Sequence, residues 1–244
     1  MGKRRFKKLS RKNASFDLLK EKTDEIDYAF RELGIKSFAD LGGVWGVDGG
    51  YTFYALENYS VEACFLVDLF FSDNARRRSK HFKQLKLIQG DFGSQDTIRQ
   101  LPELDAIFLF DVLLHQVGPD WQDIVRMYSA ITRCFIVFNP QWVGLDTVRL
   151  TDVGEDEYFE NVPHSRDEEP YATAFSHLDE IDPQTGQKYR DYKGIWQWGI
   201  TDKDLCALME ELGFDMVYSR NPGQWGALKN FELHAFIFTS AERD

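Results

Sequence analysis

Five short apolar runs, at 37–41, 63–68, 85–90, 105–110 and 134–139, start roughly 20 to 30 residues apart, the repeat of strands joined by crossover helices. The first, fourth and fifth are almost continuously apolar, as strands covered by helices on both faces must be. Between them, 51–58, 72–82, 94–101 and 120–132 carry helical patterning. Such alternation predicts an α/β fold, a doubly wound, mostly parallel sheet. Ahead of it, 16–33 reads as an amphipathic helix with Leu19, Ile26, Phe30 and Leu33 on one face, stopped by Gly34. The pattern returns near the C-terminus. The stretch 201–213 opens with a capping box, Thr201 and Asp204, carries the stripe Leu205, Leu208, Met209 and Leu212, and ends at Gly213. FDMVYSR then supplies a sixth strand and ELHAFIFTS a seventh, so seven strands are expected in one sheet.

Between 143 and 198 the alternation stops. This stretch is acidic early (DVGEDEYFEN), holds Tyr158, Phe159, Tyr171, Phe175, Tyr189, Tyr192 and Trp196, and is dotted with Pro and Gly. A structureless loop of that length is foreign to a compact domain, so a lid or small subdomain is expected, inserted between the fifth strand and the last helix. The expected organisation is a basic arm, 1–15, and one domain, 16–244, with 143–198 as its inserted substrate lid.

The 43% hydrophobic and 28% charged composition is that of a soluble globular chain. No apolar run is long enough to span a membrane, and the N-terminal stretch lacks the apolar core of a signal peptide; a cytoplasmic protein without a membrane partner is expected. Cys64, Cys134 and Cys206 sit inside apolar segments, which points to buried thiols in a reducing compartment and to neither a disulfide framework nor a zinc site. The net charge of −11 hides an asymmetry: MGKRRFKKLSRK holds seven of the 29 Lys and Arg and no acid. That arm reads either as a solvated terminus or as a contact for RNA or an anionic surface. The acidic remainder argues against a broad nucleic-acid face, whose affinity would rest on neutralising phosphates.

Directly behind the first strand stands DLGGVWGVDGG, five glycines in the eleven residues from Asp40 to Gly50. Glycines are entropically costly, so bare backbone is needed there. A strand, a glycine turn and a helix N-terminus together form the nucleotide-binding edge of an open α/β sheet. The dinucleotide fingerprint G-x-G-x-x-G fails: with Gly43 and Gly46 as its last two glycines, its first position falls on Leu41. Asp40, two residues before Gly42, would repel a pyrophosphate and suits an ammonium instead.

On these residues the chain resembles the class I S-adenosylmethionine-dependent methyltransferases, over about 37–139 and again over 201–239. The resemblance implies a Rossmann-like seven-stranded sheet with one antiparallel member and S-adenosyl-L-methionine as cofactor. It implies that Asp40, Gly42, Gly43 and Gly46 cradle the cofactor's methionine end, with its ammonium. Asp68, at the tip of the second strand in FLVDLF, is implied for the ribose hydroxyls, whose cis-diol a carboxylate can accept twice. Asp91 and Phe92 in IQGDFG are implied for adenine, and Asp111 in FLFDVLLH for the methyl-transfer side. The commonest family loop, D-x-G-x-G-x-G, has its middle glycine replaced here by Val44, and 47–50 lengthen the turn. The sequence leaves open whether Gly46 or Gly50 closes the cradle, and whether Asp48 caps the following helix.

For chemistry, His115 lies four residues after Asp111. It reads as a general base oriented by that carboxylate, or as a histidine bonded to local backbone. Asp111 is the second catalytic candidate, positioning the acceptor or the sulfonium side. His164, His177, Tyr171 and Trp196 are candidates to be brought over the site by the lid, each with a solvated or core role as the alternative. NPQW, 139–142, follows the fifth strand and has Gln third, so it is set aside as a match to the NPPY-type motif of some family members. No spacing suggests a metal site, and 152–160 reads as a solvated acidic loop. The expected function is methyl transfer to a small-molecule or sugar-like acceptor, at oxygen. Two rivals stand: an RNA methyltransferase using the basic arm, and a non-catalytic module that keeps the fold. The oligomeric state is left open.

Overall fold

The computed structural model describes residues 18–240, so the arm 1–15 lies outside the described residues. The chain begins with α1 (Lys20–Glu32) and then alternates: β1 (Ser37–Leu41), α2 (Gly50–Asn58), β2 (Ala63–Asp68), α3 (Asp73–Ser79), β3 (Leu85–Gln89), α4 (Gln95–Ile98), β4 (Ala106–Phe110), α5 (Trp121–Ser129) and β5 (Cys134–Trp142). After an intervening segment come α8 (Asp202–Glu211), β8 (Phe214–Gln224) and β9 (Phe231–Ser240). The sheet order is β3-β2-β1-β4-β5-β9-β8. The first five strands pair in parallel, and β9 runs antiparallel to both β5 and β8. This is the seven-stranded, doubly wound sheet read from the sequence, with its one antiparallel strand.

Both faces of the central strands are apolar, and each face has its own helices. In β4, Ala106, Phe108 and Phe110 point into a core with α1 and α2 (Ile26, Ala29, Phe30, Tyr51, Phe53). Ile107 and Leu109 point the other way, against α5 and α8 (Trp121, Ile124, Val125, Leu205, Leu208). That double burial is why period-2 alternation is absent from this strand's sequence. Thr201 accepts from the Asp204 backbone N–H at 3.2 Å, starting α8 at the capping-box position.

β5 continues three residues beyond its expected end, through Pro140 to Trp142, and β9 pairs with all of it. The segment 143–198 is folded. Its β6 (Val148–Arg149) pairs with β7 (Trp198–Gly199), and α6 (Glu155–Glu160) and α7 (Tyr171–Ser176) lie between. Tyr158, Tyr171, Ile195 and Trp196 form a core there with Leu150, Val162 and Ala174, closed by Leu114 and by Leu228 and Phe231 from the β8–β9 end. Trp196 stacks on Trp225 at 4.8 Å. Aromatic mass thus gives this short segment the core that its length alone would not provide.

The chain turns outward from β1 to β2 and β3 on one side, and from β4 to β5 on the other. A crevice therefore opens at the carboxyl ends of β1 and β4, the switch point where such sheets bind ligands. No helix among the described residues is long and apolar enough to cross a membrane.

Candidate active site

The loop leaving β1 is built around a buried carboxylate. Asp40 is fully buried; its Oδ2 accepts from Thr52 Oγ1 of α2 at 2.6 Å, and its Oδ1 has no partner among the described residues. Burial pushes its carboxyl up to about 6, with Thr52 and Lys22 pulling down and Asp68 adding to the rise. A Cβ on Gly43 would overlap this carboxylate. Gly42 has φ +73°, and a Cβ there would stand 2.8 Å from Val112 Cγ1 and 3.5 Å from the Phe92 ring. The bare backbone of both glycines is thus required by what lies against it. Gly46 sits differently, on the exposed outer arch of the loop beside Trp45, with open space where a Cβ would go and φ +73°. Asp48 does not cap α2. Gly49, at φ +80°, takes the N-cap position, while Asp48 accepts from Ser72 and Asn74 and ties the loop to the start of α3.

The next two strand tips face the same crevice. Asp68 is 7% exposed and accepts the Val44 N–H at 3.0 Å and the Phe70 N–H at 3.4 Å. Burial raises its pKa against those donors. Beyond β3, Asp91 Oδ1 accepts the Gly93 N–H and Oδ2 accepts Lys193 Nζ, each at 2.8 Å. The Phe92 carbonyl is held by Tyr128 Oη at 2.8 Å, and its ring lies beside Gly42.

At the tip of β4, Asp111 adopts φ +55°, a left-handed conformation uncommon outside glycine though more accessible to Asp than to most residues. Its carboxylate pairs with Lys22 Nζ from α1. The Lys22 side chain is 6% exposed, and its ammonium lies 5.0 to 5.6 Å from the ring centres of Tyr51, Phe110 and Phe138. Burial works against that charge, but Asp111, Tyr51 and Glu25 outweigh it and hold the pKa above the ordinary lysine value. Glu25, one turn on, is fully buried with neither carboxyl oxygen hydrogen-bonded to a side chain; burial raises its pKa far above the usual range.

His115 closes a short 3₁₀ turn, Leu113–His115, and its Nδ1 meets the Ile195 carbonyl at 2.9 Å. Its orientation thus comes from the inserted segment and not from Asp111, which pairs with Lys22: the expected i, i+4 pair does not form because the chain is not α-helical there. Burial lowers its pKa, with the Ile195 carbonyl and Asp111 opposing, so the neutral ring predominates at pH 7. With Nδ1–H donated to Ile195, Nε2 carries the lone pair. His164 stacks on Tyr171 at 4.5 Å and meets Glu168. His177 is exposed, near Glu180 and Tyr189. Tyr171 and Trp196 are core residues of the inserted segment, as their alternative reading had it. Among the described residues no three His, Cys, Asp or Glu side chains converge as a metal site.

Three residues of this crevice went unread in the sequence. Lys22 had a signal: it lies four residues before Ile26 on the buried stripe of α1, where a charge is out of place without a partner. Thr52 and Lys193 had none, since their importance comes from what the fold sets beside them.

No protein-family model and no curated protein matches the chain. Solved structures do. It is similar to the 1,6-didemethyltoxoflavin-N1-methyltransferase of Burkholderia thailandensis, solved with 1,6-didemethyltoxoflavin and S-adenosylhomocysteine (13% identity, 91% of this chain and 78% of that one, TM-score 0.58). It is similar to the N-terminal domain of EvdMO1, solved in the presence of S-adenosylhomocysteine and D-fucose (13%, 92% and 84%, 0.54). It also matches the N-methyltransferase NodS of Bradyrhizobium japonicum WM9, in complex with S-adenosylhomocysteine (10%, 91% and 86%, 0.53). Strand order, the single antiparallel strand and these superpositions agree: the chain has the fold of the class I S-adenosylmethionine-dependent methyltransferases.

Proposed function

We propose that this protein is an S-adenosylmethionine-dependent methyltransferase acting at oxygen on a small-molecule or sugar-like acceptor. The observation that carries the reading is the half-satisfied Asp40 carboxylate beneath two glycines that admit no side chain. A buried carboxylate with an unpaired oxygen is costly and favours a cationic donor, and the cofactor's amino-acid end has an ammonium. The same end has a carboxylate, for which Lys22 is the nearby buried cation. Asp68 is assigned to the ribose hydroxyls, and Asp91 with the Phe92 ring to the adenine. Gly42 and Gly43 give the backbone its close approach, and Gly46 shapes the outer arch.

When bound, S-adenosylmethionine supplies a methyl group on a sulfonium, open to in-line attack. What remains for the chain is to position an acceptor and remove its proton. His115, neutral and with Nε2 as its acceptor nitrogen, takes the hydroxyl proton; Asp111 positions the acceptor side. The segment 143–198 serves as the lid, since it supplies the carbonyl that orients His115. The D-fucose present with EvdMO1 and the 1,6-didemethyltoxoflavin bound to the Burkholderia enzyme support a discrete acceptor.

The test is transfer of radiolabelled methyl from S-adenosylmethionine by the full chain, offered a panel of sugars and hydroxylated small molecules, and separately total RNA. Label is expected in a small molecule and reduced at least tenfold by His115→Gln. Label in RNA that disappears when residues 1–14 are deleted would overturn the acceptor in favour of the RNA reading. A folded protein that transfers none and binds no cofactor would leave the non-catalytic module.

A further inference from the structure

One stretch of the inserted segment reaches from Asp91, beyond β3, to His115, beyond β4. Over 192–198, YKGIWQW, Lys193 pairs with Asp91 at the β3 side. Two residues later Ile195 offers its carbonyl to His115 Nδ1 at 2.9 Å on the β4 side. Gln197 then donates its N–H to the Leu114 carbonyl at 2.9 Å, and Trp198 Nε1 donates to the Gln116 carbonyl at 2.7 Å. The strap is anchored in between, with Ile195 fully buried and Trp196 stacked on Trp225. Its β4 end thus rests on backbone bonds and packing. Its other end meets Asp91 beyond β3 through one side chain, Lys193, which is about one quarter exposed.

We infer that Lys193 is a positioning residue that links the two halves of the site, so that filling the nucleotide half tightens the strap holding His115. The inference rests on the cofactor reading above, and it follows from what Asp91 has left to give. An ionised carboxylate has about four acceptor positions. Gly93 N–H takes one on Oδ1 and Lys193 one on Oδ2, leaving room for a purine amino group on the same carboxylate. Lys193 and Gly93 between them fix the carboxylate's rotation, so a purine arriving with the strap closed meets an acceptor already aimed. With the strap open, the carboxylate has only Gly93 to hold it and must be ordered on binding. A ligand that favours the closed strap in this way shifts the strap toward closure by the same factor. Ile195 is two residues from Lys193 on that strap, so closure and the orientation of His115 move together.

The experiment compares the full chain with Lys193→Ala and Lys193→Arg, using S-adenosylhomocysteine as the probe. Affinity is read by calorimetry and the strap by hydrogen exchange of the Gln197 amide. The pair is only partly buried and joins two loops outside the core, so all three proteins should be equally folded by circular dichroism. The expected result is about a fivefold loss of affinity in Lys193→Ala, recovery in Lys193→Arg, and slower Gln197 exchange on ligand binding in the wild type and Lys193→Arg only. A purely structural ion pair would alter Gln197 exchange without making it respond to the ligand. Equal affinity and equal protection in all three proteins would overturn the link and leave the cofactor reading standing. Absence of binding in the wild type would overturn both.

Discussion

Replacing Asp40 by Asn isolates the cost of keeping a carboxylate under the glycine loop. The carboxyl is pushed to about 6 in the folded protein, against an ordinary value of about 3.9 in an unfolded chain. A group whose folded pKa is raised binds its proton more tightly when folded. Its contribution is therefore fully present below about pH 4 and is lost as pH rises through 6. Integrating between those two values, the ionised carboxylate costs roughly 1–2 kcal/mol at pH 5 and about 3 kcal/mol at pH 8. Asn keeps an oxygen for Thr52 but adds an amide that needs a partner, a cost of roughly 1–3 kcal/mol that does not change with pH. The comparison to make is thus the difference between wild type and Asp40→Asn at the two pH values, in which the fixed cost cancels. Urea unfolding should show the variant gaining roughly 1–2 kcal/mol on the wild type from pH 5 to pH 8. For a chain of this size that is roughly 2–8 °C in Tm. A gap that stays flat, or that moves toward the wild type as pH rises, would refute the assignment of a raised carboxyl at this position. The same variant should lose S-adenosylhomocysteine affinity at least tenfold at pH 8, since its amide cannot neutralise an ammonium.

Four further outcomes follow from the same geometry. Gly43→Ala drives a methyl into the Asp40 carboxylate and should cost about 1–3 kcal/mol together with most cofactor affinity. Gly46→Ala meets only open space, so thermal melts should show no more than the roughly 1–2 kcal/mol left-handed penalty, and calorimetry an affinity kept within about threefold. Lys22→Met keeps an unbranched apolar side chain beside the three rings but removes the cation. S-adenosylhomocysteine should bind at least tenfold more weakly to it, whereas methylthioadenosine, which has no amino-acid end, should bind as it does to the wild type; equal losses for both would show that Lys22 acts only on the fold. Nitrogen-15 NMR should find His115 with its proton on Nδ1 and a midpoint below the ordinary histidine value, the direction that burial imposes; a midpoint above it would remove the base role.

The seven strands and the helices between them were legible because burial on both faces writes itself as apolar runs, and those runs need only the chain's own spacing to be read. The carboxylates at the tips of β1 to β4 were legible for a related reason: polar residues directly after apolar strands have nowhere to go but the carboxyl edge. What stayed hidden depends on residues far apart in sequence. Asp111 meets Lys22 across 89 residues and Asp91 meets Lys193 across 102, and neither distance leaves a local pattern. The helical spacing of Asp111 and His115 misled because φ +55° at Asp111 prevents a helix from starting there. Asp48 looked like a cap because it is a good capping type at the right place, but its carboxylate bonds Ser72 and Asn74 while a left-handed glycine takes the cap position. The inserted segment showed only its aromatics; its fold comes from packing them against the β8–β9 end.

The measurement that tests the central claim most directly is calorimetric titration of the full chain and of Asp68→Ala with S-adenosylmethionine and S-adenosylhomocysteine. The account predicts micromolar binding of both to the wild type, weakened at least tenfold, about 1.4 kcal/mol, by the loss of the Asp68 carboxylate. A folded wild-type protein that binds neither, or an Asp68→Ala variant that binds both unchanged, would contradict it.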